Sequence, residues 1–218
     1  MNEGSLHAAL KTRYAERGSK EEFELEGFVV DIRSGEGIVE IQTGSFGAMG
    51  SKLDRLLPDH QVLVVHPIAR RITLARKGMA DRRSPKRGRL HDLFDELVSI
   101  PTLIDHPNFS LEVVMVDERR VKVHDPSLRR RRGGWRTVDR QLLDVVATHR
   151  FESADDLMAF LPDDLPETFT TADICAEQPF GRPTAQKIAY CLRALDKIAV
   201  VDRGRTGYRY VLTGDTAA

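Results

Sequence analysis

The sequence predicts an α/β protein with a mixed-sheet domain at the N-terminus and a smaller α+β domain at the C-terminus. Two observations lead to this prediction. Within the first 75 residues, a helical pattern, three short strand patterns, a second helical pattern and a further strand follow one another. Beyond the basic run at 129–132, helical patterns dominate, and two strand-like segments close the chain.

The composition is that of an ordinary globular protein with one large domain or two modest ones. Of 218 residues, 41% are hydrophobic and 30% are charged, and 33 basic residues balance 33 acidic ones. No run of about 20 apolar residues occurs, and the two cysteines do not form a CxxC pair. We therefore expect a cytoplasmic protein without membrane contacts, whose two thiols are reduced and buried.

The N-terminal elements follow from hydrophobic spacing and from turn residues. Apolar residues recur at helical spacing in the first segment, and alternating or short apolar runs come after it. A glycine-containing turn at Ser34–Gly37 joins the last two runs. The predicted elements are a helix over Glu3–Glu16 and strands over Glu22–Glu26, Phe28–Ile32 and Gly37–Thr43.

The middle of the chain extends the predicted sheet. The segment 44–57 becomes helical in its second half, and the apolar run Gln61–Val65 is typical of a strand buried on both faces. A basic, irregular loop is expected over 76–89. The remaining predicted elements are a short strand over Ile72–Ala75, a helix over His91–Ile100, and a hairpin of Leu111–Val116 with Arg120–His124 that turns at Asp117–Glu118.

The arginines and glycines at 129–134 form the predicted domain boundary. This boundary gives an N-terminal domain over 1–128, a basic linker over 129–135 and a C-terminal domain over 136–218. In the C-terminal domain, helices are expected over Val138–Thr148 and from Pro183 to about Lys197. Two further helices are expected to begin at the capping signals of Ser153 and Thr170. Strands are expected over Ile198–Asp202 and Tyr208–Leu212.

The stretch Phe28–Thr43 carries two acids that a tight hairpin would bring together. Asp31 lies near the end of one strand and Glu40 on the next, and Gln42 shares the face of Glu40 because strand side chains alternate. Two adjacent carboxylates repel each other unless a divalent cation lies between them. Carboxylate oxygens suit Mg²⁺ or Mn²⁺, and such an ion can activate water against a phosphodiester.

An aspartate followed by Glu-x-Gln on the next strand resembles the PD-(D/E)XK signature of restriction-endonuclease-like nucleases, over roughly the first 75 residues. The resemblance implies a restriction-endonuclease-like mixed-sheet core with Mg²⁺ or Mn²⁺ held by Asp31, Glu40 and the Ile41 carbonyl. In that family an acid on the first helix often joins the metal, and Glu3 matches this place. Glu3 fits equally well as a first-turn acid that complements the helix dipole.

The chain departs from the family pattern at Gln42, where the family has lysine. Glutamine can position water or a phosphate, but it supplies no positive charge. Lys52 on the following helix is the candidate source of an ammonium group, and His7, one turn after the place of Glu3, is expected near the site. The predicted catalytic residues are Asp31, Glu40, Gln42 and Lys52.

The C-terminal helices and strand pair resemble a winged helix-turn-helix, which implies DNA binding through the last helix and the hairpin tip. Basic residues also concentrate in 70–89, with nine against one acid, and in 119–140, with nine against two. Such clusters favour salt-sensitive contacts with phosphates. The predicted DNA-contacting residues are Lys86, Arg87, Arg89, Arg130, Arg131, Arg182, Gln186, Lys187, Tyr190, Arg193, Arg203 and Arg205.

These expectations favour a metal-dependent deoxyribonuclease of repair, recombination or defence type, with DNA as its partner. Gln42 leaves open a non-catalytic DNA-binding or regulatory protein on a degenerate nuclease scaffold. The C-terminal module leaves open a docking role, either in a homodimer or as part of a nuclease subunit in a larger nucleic-acid-processing complex.

Overall fold

A computed structural model describes residues 4–16, 18–35, 37–128, 134–205 and 207–213. The chain forms two compact units, each assembled from three segments. Unit 1 contains the described residues of Met1–Gly44, His60–Leu90 and Glu112–Arg150, and unit 2 contains those of Ser45–Asp59, His91–Leu111 and Phe151–Ala218. This division differs from the predicted one, because the first 128 residues contribute to both units and no unit begins at residue 136.

Unit 1 is built on one mixed β-sheet. Its elements are helix α1 (Ser5–Tyr14) and strands β1 (Lys20–Leu25), β2 (Phe28–Ser34), β3 (Gly37–Ile41), β4 (Val62–Arg76), β5 (Arg82–Arg83), β6 (Phe109–His124) and β7 (Trp135–Phe151). The first residues of β6 and the last residue of β7 belong to segments of unit 2.

The strands of this sheet lie in the order β1-β2-β3-β4-β6-β7, and β5 pairs with β4. Strands β1, β2 and β3 form an antiparallel meander, whereas β3 and β4 are parallel, with Ile38 opposite Val62 and Ile41 opposite Val65. The mixed sheet with its helices confirms the predicted α/β class. The predicted strands Gln61–Val65 and Ile72–Ala75 are two parts of the single long strand β4.

The tight turn before β3 depends on a glycine. Gly37 has a φ of +146°, and a Cβ atom at this position would lie 2.6 Å from the Gln61 carbonyl oxygen. The same oxygen accepts the amide hydrogen of Ile38 at 2.9 Å, which starts the pairing of β3 with β4. Only glycine therefore allows the β2–β3 hairpin to approach the start of β4 this closely.

Helix α1 packs on the sheet through the apolar residues predicted for its buried face. Leu6 and Leu10 are buried in one cluster with Ile41, Val65, Val114 and Val116 from the strands. These contacts remove the apolar face of α1 from water, which is the main stabilisation available to a helix of 10 residues. They also fix the position of α1 over the end of β3, which carries part of the candidate site.

Two predictions of local structure in this part of the chain are wrong. The segment Val138–Thr148 is the middle of strand β7 rather than a helix, because its β-branched residues pair with β6 and this pairing outweighs the helical spacing. The predicted turn at Asp117–Glu118 is the interior of β6. Both acids are accepted within the strand because arginines pair with them, as Arg70 does with Asp117 at 2.8 Å.

Unit 2 contains short helices and a two-stranded hairpin. Its elements are α2 (Gly50–Leu56), α3 (Phe94–Leu97), α4 (Ala154–Met158), α5 (Thr171–Cys175), α6 (Arg182–Ala194), β8 (Ile198–Gly204) and β9 (Gly207–Leu212). The predicted helix over His91–Ile100 is shorter than expected, because a 3₁₀ turn at Leu90–Leu93 precedes the four residues of α3.

The capping signals of unit 2 are confirmed. Ser153 and Asp156 form a capping box at α4, and Thr170 and Asp173 form another at α5. Helix α6 starts with Pro183 in its first turn and buries Ala185, Ile188, Ala189, Cys191 and Leu192. Phe169 pairs with Tyr210 of β9, which ties the hairpin to the segment before α5.

The two cysteines have different surroundings. Cys191 is buried, and burial raises the pKa of its thiol to about 12. Cys175 is only half-buried, so the expectation of two buried thiols is confirmed for Cys191 alone. Over the described residues, no helix has the length and apolarity required to cross a bilayer.

Candidate functional site

Asp31 and Glu40 lie beside each other where the pairing of β2 with β3 ends. The backbone register runs from Ser34 opposite Gly37 to Ile32 opposite Val39. Beyond it, the Asp31 amide donates to Glu40 Oε1 at 3.3 Å, and the Ile41 amide donates to Asp31 Oδ2 at 2.8 Å. Each carboxylate therefore accepts an amide of the opposite strand. We call Asp31, Glu40 and Ile41 the strand fork, and its two acids confirm the predicted proximity.

The two carboxylates of the strand fork are shielded from water to different degrees. Glu40 is 5% exposed, whereas the Asp31 side chain is 19% exposed. Helix α1 adds a further polar group, since His7 Nε2 lies 3.1 Å from Asp31 Oδ2. The expected position of His7 near the site is therefore confirmed. A protonated His7 would offset one negative charge of the fork.

Gln42 is held by its backbone next to the fork. Its amide donates to the Val65 carbonyl at 2.9 Å, which continues the parallel pairing with β4. Its carbonyl oxygen lies 2.8 Å from Nδ1 of the buried His66. His66 thus has a structural role, and it fixes the chain direction just after Glu40.

A second charged cluster lies at the same end of β3. Glu118 of β6 is fully buried and accepts from the Arg120 guanidinium and, at 2.9 Å, from the Arg140 guanidinium. Arg140 also donates to the Thr43 carbonyl at 3.2 Å. We call Glu118, Arg120 and Arg140 the buried ion cluster. Through its contact with Thr43, the Arg140 guanidinium places a positive charge beside the segment that follows Glu40.

Sequence reasoning missed this cluster, because Glu118 was assigned to a turn and Arg140 to a helix of another domain. The available signal was weak. Arg120 follows Glu118 by two residues, which is the spacing of neighbours on one strand face. That spacing has meaning only once the segment is known to be a strand, and nothing in the local sequence links it to Arg140.

Asp139 fixes the start of α1. Its carboxylate accepts the Ser5 amide at 3.1 Å and the Ser5 hydroxyl at 2.8 Å. An anion at this place satisfies amides that the helix cannot bond itself and interacts favourably with the helix dipole. Because His7 lies two residues farther along α1, this contact helps to position His7 against Asp31.

We expect Asp139→Asn to lower the melting temperature at neutral pH and to have little effect in acid. Burial raises the pKa of Asp139, but hydrogen bonds from Ser5 and neighbouring groups outweigh burial and hold the pKa below its usual value. The stabilisation is therefore complete above the unfolded pKa of about 3.9 and is lost as the pH falls through the lower, folded value.

Thermal unfolding of the wild type and Asp139→Asn at about pH 7 and about pH 2 measures this effect. A difference in melting temperature that closes in acid is the expected result. A difference that is independent of pH would show that the charge of Asp139 contributes nothing.

Other predicted site residues belong to other parts of the chain. Lys52 is half-buried on α2 and belongs to unit 2, whereas the strand fork belongs to unit 1. Glu3, Arg130 and Arg131 lie outside the described residues. Within the described ranges, no group of three or more His, Cys, Asp or Glu side chains is arranged to hold a metal ion.

The predicted basic loop of unit 1 is exposed but anchored. Lys86, Arg87 and Arg89 face solvent on either side of Gly88. The Gly88 amide donates to the Ala69 carbonyl at 2.8 Å, and a Cβ atom at Gly88 would lie 2.7 Å from that oxygen. This hydrogen bond therefore attaches the loop to β4, and the loop exposes three cationic side chains to solvent.

Several of the predicted DNA-contacting residues of unit 2 surround one cavity. Arg182, Gln186, Tyr190 and Arg193 of α6 line a space of about 340 Å³ with Tyr208 of β9. The remaining predicted residues of this group are not among its lining residues: Lys187 pairs with Asp95 at 2.6 Å, the Arg203 guanidinium lies 5.5 Å from the Tyr208 ring, and Arg205 is exposed at the hairpin tip.

Residues 4–152 match the family described as "Domain of unknown function (DUF8091)". The chain belongs to the DUF8091 family. An uncharacterized protein of Treponema pallidum (strain Nichols) is 36% identical over 224 residues, and the alignment covers 98% of this chain and 87% of that protein. No solved structure matches the chain. The DUF8091 match ends one residue after β7, so α4, α5, α6 and the β8–β9 hairpin lie outside it.

Proposed function

We propose that this DUF8091 protein is a metal-dependent deoxyribonuclease that hydrolyses phosphodiester bonds. The observation that carries the proposal is the strand fork, where Asp31 and Glu40 lie within hydrogen-bonding reach of each other's strands. The element order supports it. A helix, an antiparallel meander of three strands, a helix and a strand parallel to the third form the arrangement that the PD-(D/E)XK resemblance implies.

The donor set of the strand fork fits a hard divalent cation. The Asp31 and Glu40 carboxylates and the Ile41 carbonyl would hold Mg²⁺ or Mn²⁺, which prefer oxygen ligands. When bound, the ion would polarise the phosphodiester and lower the pKa of a coordinated water. Two carboxylates this close, one of them buried, also have an electrostatic reason to bind a cation, because each raises the energy of the other's charged form.

The side chains around the strand fork would orient its carboxylates and offset negative charge. His7 holds Asp31 Oδ2 from the α1 side, and the two amides of the fork fix the direction of both carboxylates. Gln42 can position water or a phosphate oxygen but supplies no charge. We assign the missing positive charge to Arg140, which pairs with Glu118 and donates to the Thr43 carbonyl. Its guanidinium would offset the negative charge of the phosphate.

The arrangement of unit 2 supports DNA as the substrate. Helices α4, α5 and α6 followed by the β8–β9 hairpin have the order of a winged helix-turn-helix, and α6 presents arginine, glutamine and tyrosine side chains to solvent. These side chains form the usual contacts to phosphates and base edges. The exposed cations of the loop at 86–89 would add salt-sensitive affinity.

The direct test is cleavage of plasmid, single-stranded and branched DNA by the purified full chain. We expect cleavage with Mg²⁺ or Mn²⁺ and none with EDTA, because the fork needs a cation to act on a phosphodiester. Failure to cleave any of these substrates with either ion, or cleavage that persists in EDTA, would remove the proposal.

A second candidate is a non-catalytic DNA-binding protein on the same scaffold. Two observations favour it: Gln42 replaces the lysine of the family, and both fork carboxylates already accept backbone amides. DNA binding of equal strength with and without divalent ions, together with no cleavage, would establish this alternative. Light scattering of the purified chain decides separately whether it forms a homodimer.

A further inference from the structure

The cavity of unit 2 is lined by cationic and aromatic side chains. It lies between α6 and the β8–β9 hairpin, opens to solvent, and has a volume of about 340 Å³. Its described lining residues include two arginines, three tyrosines, Thr171 and Gln186, and none of them is acidic. A concave surface with positive charge and aromatic rings suits an anionic ligand that has a flat π-system.

Tyr208 offers an exposed ring that is already flanked by cations. Its side chain is 40% exposed, and the guanidinium carbons of Arg193 and Arg203 lie 6.0 and 5.5 Å from its ring centroid. Tyr210 lies behind it, with ring centroids 6.3 Å apart, and packs in turn near Phe169. The ring thus stays 40% exposed beside two guanidiniums and a second aromatic ring, a setting in which a base can stack or contact the guanidinium planes.

The opposite part of the cavity is suited to a phosphate. Arg182 begins α6, and its guanidinium reaches the hairpin turn, where it lies 4.0 Å from the position of a Cβ on Gly207. Gly207 has a φ of +129°, a backbone conformation of the turn that favours glycine. Tyr190, 45% exposed, forms a second aromatic edge on the α6 side.

We propose that this cavity binds an unpaired nucleotide, with the base against Tyr208 and the phosphate between Arg182 and Arg193. Bases inside a duplex are covered by their neighbours, so only a free nucleotide, a strand end or a single-stranded region presents a ring to a concave pocket. Where the nucleotide is part of a DNA strand, this inference rests on the proposed function. It then implies that unit 2 prefers single-stranded or frayed DNA over continuous duplex.

The experiment measures binding of the full chain in EDTA, where cleavage is absent. Fluorescence anisotropy compares a labelled single-stranded oligothymidylate with a closed hairpin duplex, and a mononucleotide serves as competitor. We expect stronger binding of the single strand, weakened about tenfold by Tyr208→Leu and by Arg193→Gln but little by Tyr208→Phe, which keeps the ring.

Arg209→Gln is the matched control, since this exposed hairpin arginine bonds Thr168 and does not line the cavity. Competition by the mononucleotide at low concentration would identify a free nucleotide as the ligand, and weak competition would identify the strand. Equal affinity for strand and duplex, or equal losses in Tyr208→Leu and Arg209→Gln, would overturn the proposal. Loss of cleavage in Asp31→Asn with unchanged binding separates this inference from the proposed function.

Discussion

Glu40→Gln and Asp31→Asn are expected to slow DNA cleavage strongly while leaving the fold intact. Each substitution removes a charge but keeps an oxygen that can accept the amide now bonded at 3.3 or 2.8 Å. A metal ion supplies several kcal/mol of transition-state stabilisation, so loss of one carboxylate should lower the rate about a thousandfold, which corresponds to about 4 kcal/mol.

The measurement is the initial rate of plasmid cleavage in Mg²⁺ and in Mn²⁺, together with the melting temperature of each variant. Glu24→Gln is the matched control, because Glu24 is an exposed acid on the neighbouring strand β1. Wild-type rates in both fork variants would contradict the site assignment. Equal loss in Glu24→Gln would show that the acids act only through overall charge.

Glu118→Ala is expected to cause the largest loss of stability among single substitutions of charged residues in unit 1. Removal of the carboxylate leaves the Arg120 and Arg140 guanidiniums without the anion that they share in the buried ion cluster. Breaking a buried pair in this way costs roughly 3–5 kcal/mol, and because both arginines are partly exposed we expect a loss of about 3 kcal/mol.

Urea unfolding gives the free energy of unfolding for this comparison. The control is Asp81→Ala, because the Asp81 carboxylate also bonds an arginine, Arg119 at 2.7 Å, but does so at the surface. Its loss should destabilise the protein much less, because solvent screens an exposed ion pair. Equal losses in the two variants would mean that Glu118 is no more important to the fold than a surface ion pair.

The parts of the fold that local sequence determines were predicted correctly. The Ser34–Gly37 turn and the alternation after it place Asp31 beside Glu40, since a short hairpin leaves few registers. Helix α6 follows from its apolar spacing and from Pro183. These predictions depend on neighbours within a few residues, for which periodicity and turn chemistry are reliable guides.

The parts that depend on distant neighbours were not predicted. Leu142, Leu143 and Val146 have helical spacing, yet they lie in β7, because pairing with β6 is a contact between strands that the local pattern does not contain. The same error placed Arg140 in another domain and hid its contact with Glu118. The sequence therefore predicts the proximity of Asp31 and Glu40, but it does not predict the position of Arg140 beside Glu118.

The most direct test of the central claim is a crystal structure of the protein soaked in Mn²⁺, with the ion located by its anomalous scattering. We expect one peak in contact with the carboxylates of Asp31 and Glu40, at metal–oxygen distances of about 2.0–2.3 Å. A fork that stays empty at saturating Mn²⁺, with its carboxylates still bonded to the amides of residues 31 and 41, would contradict the account.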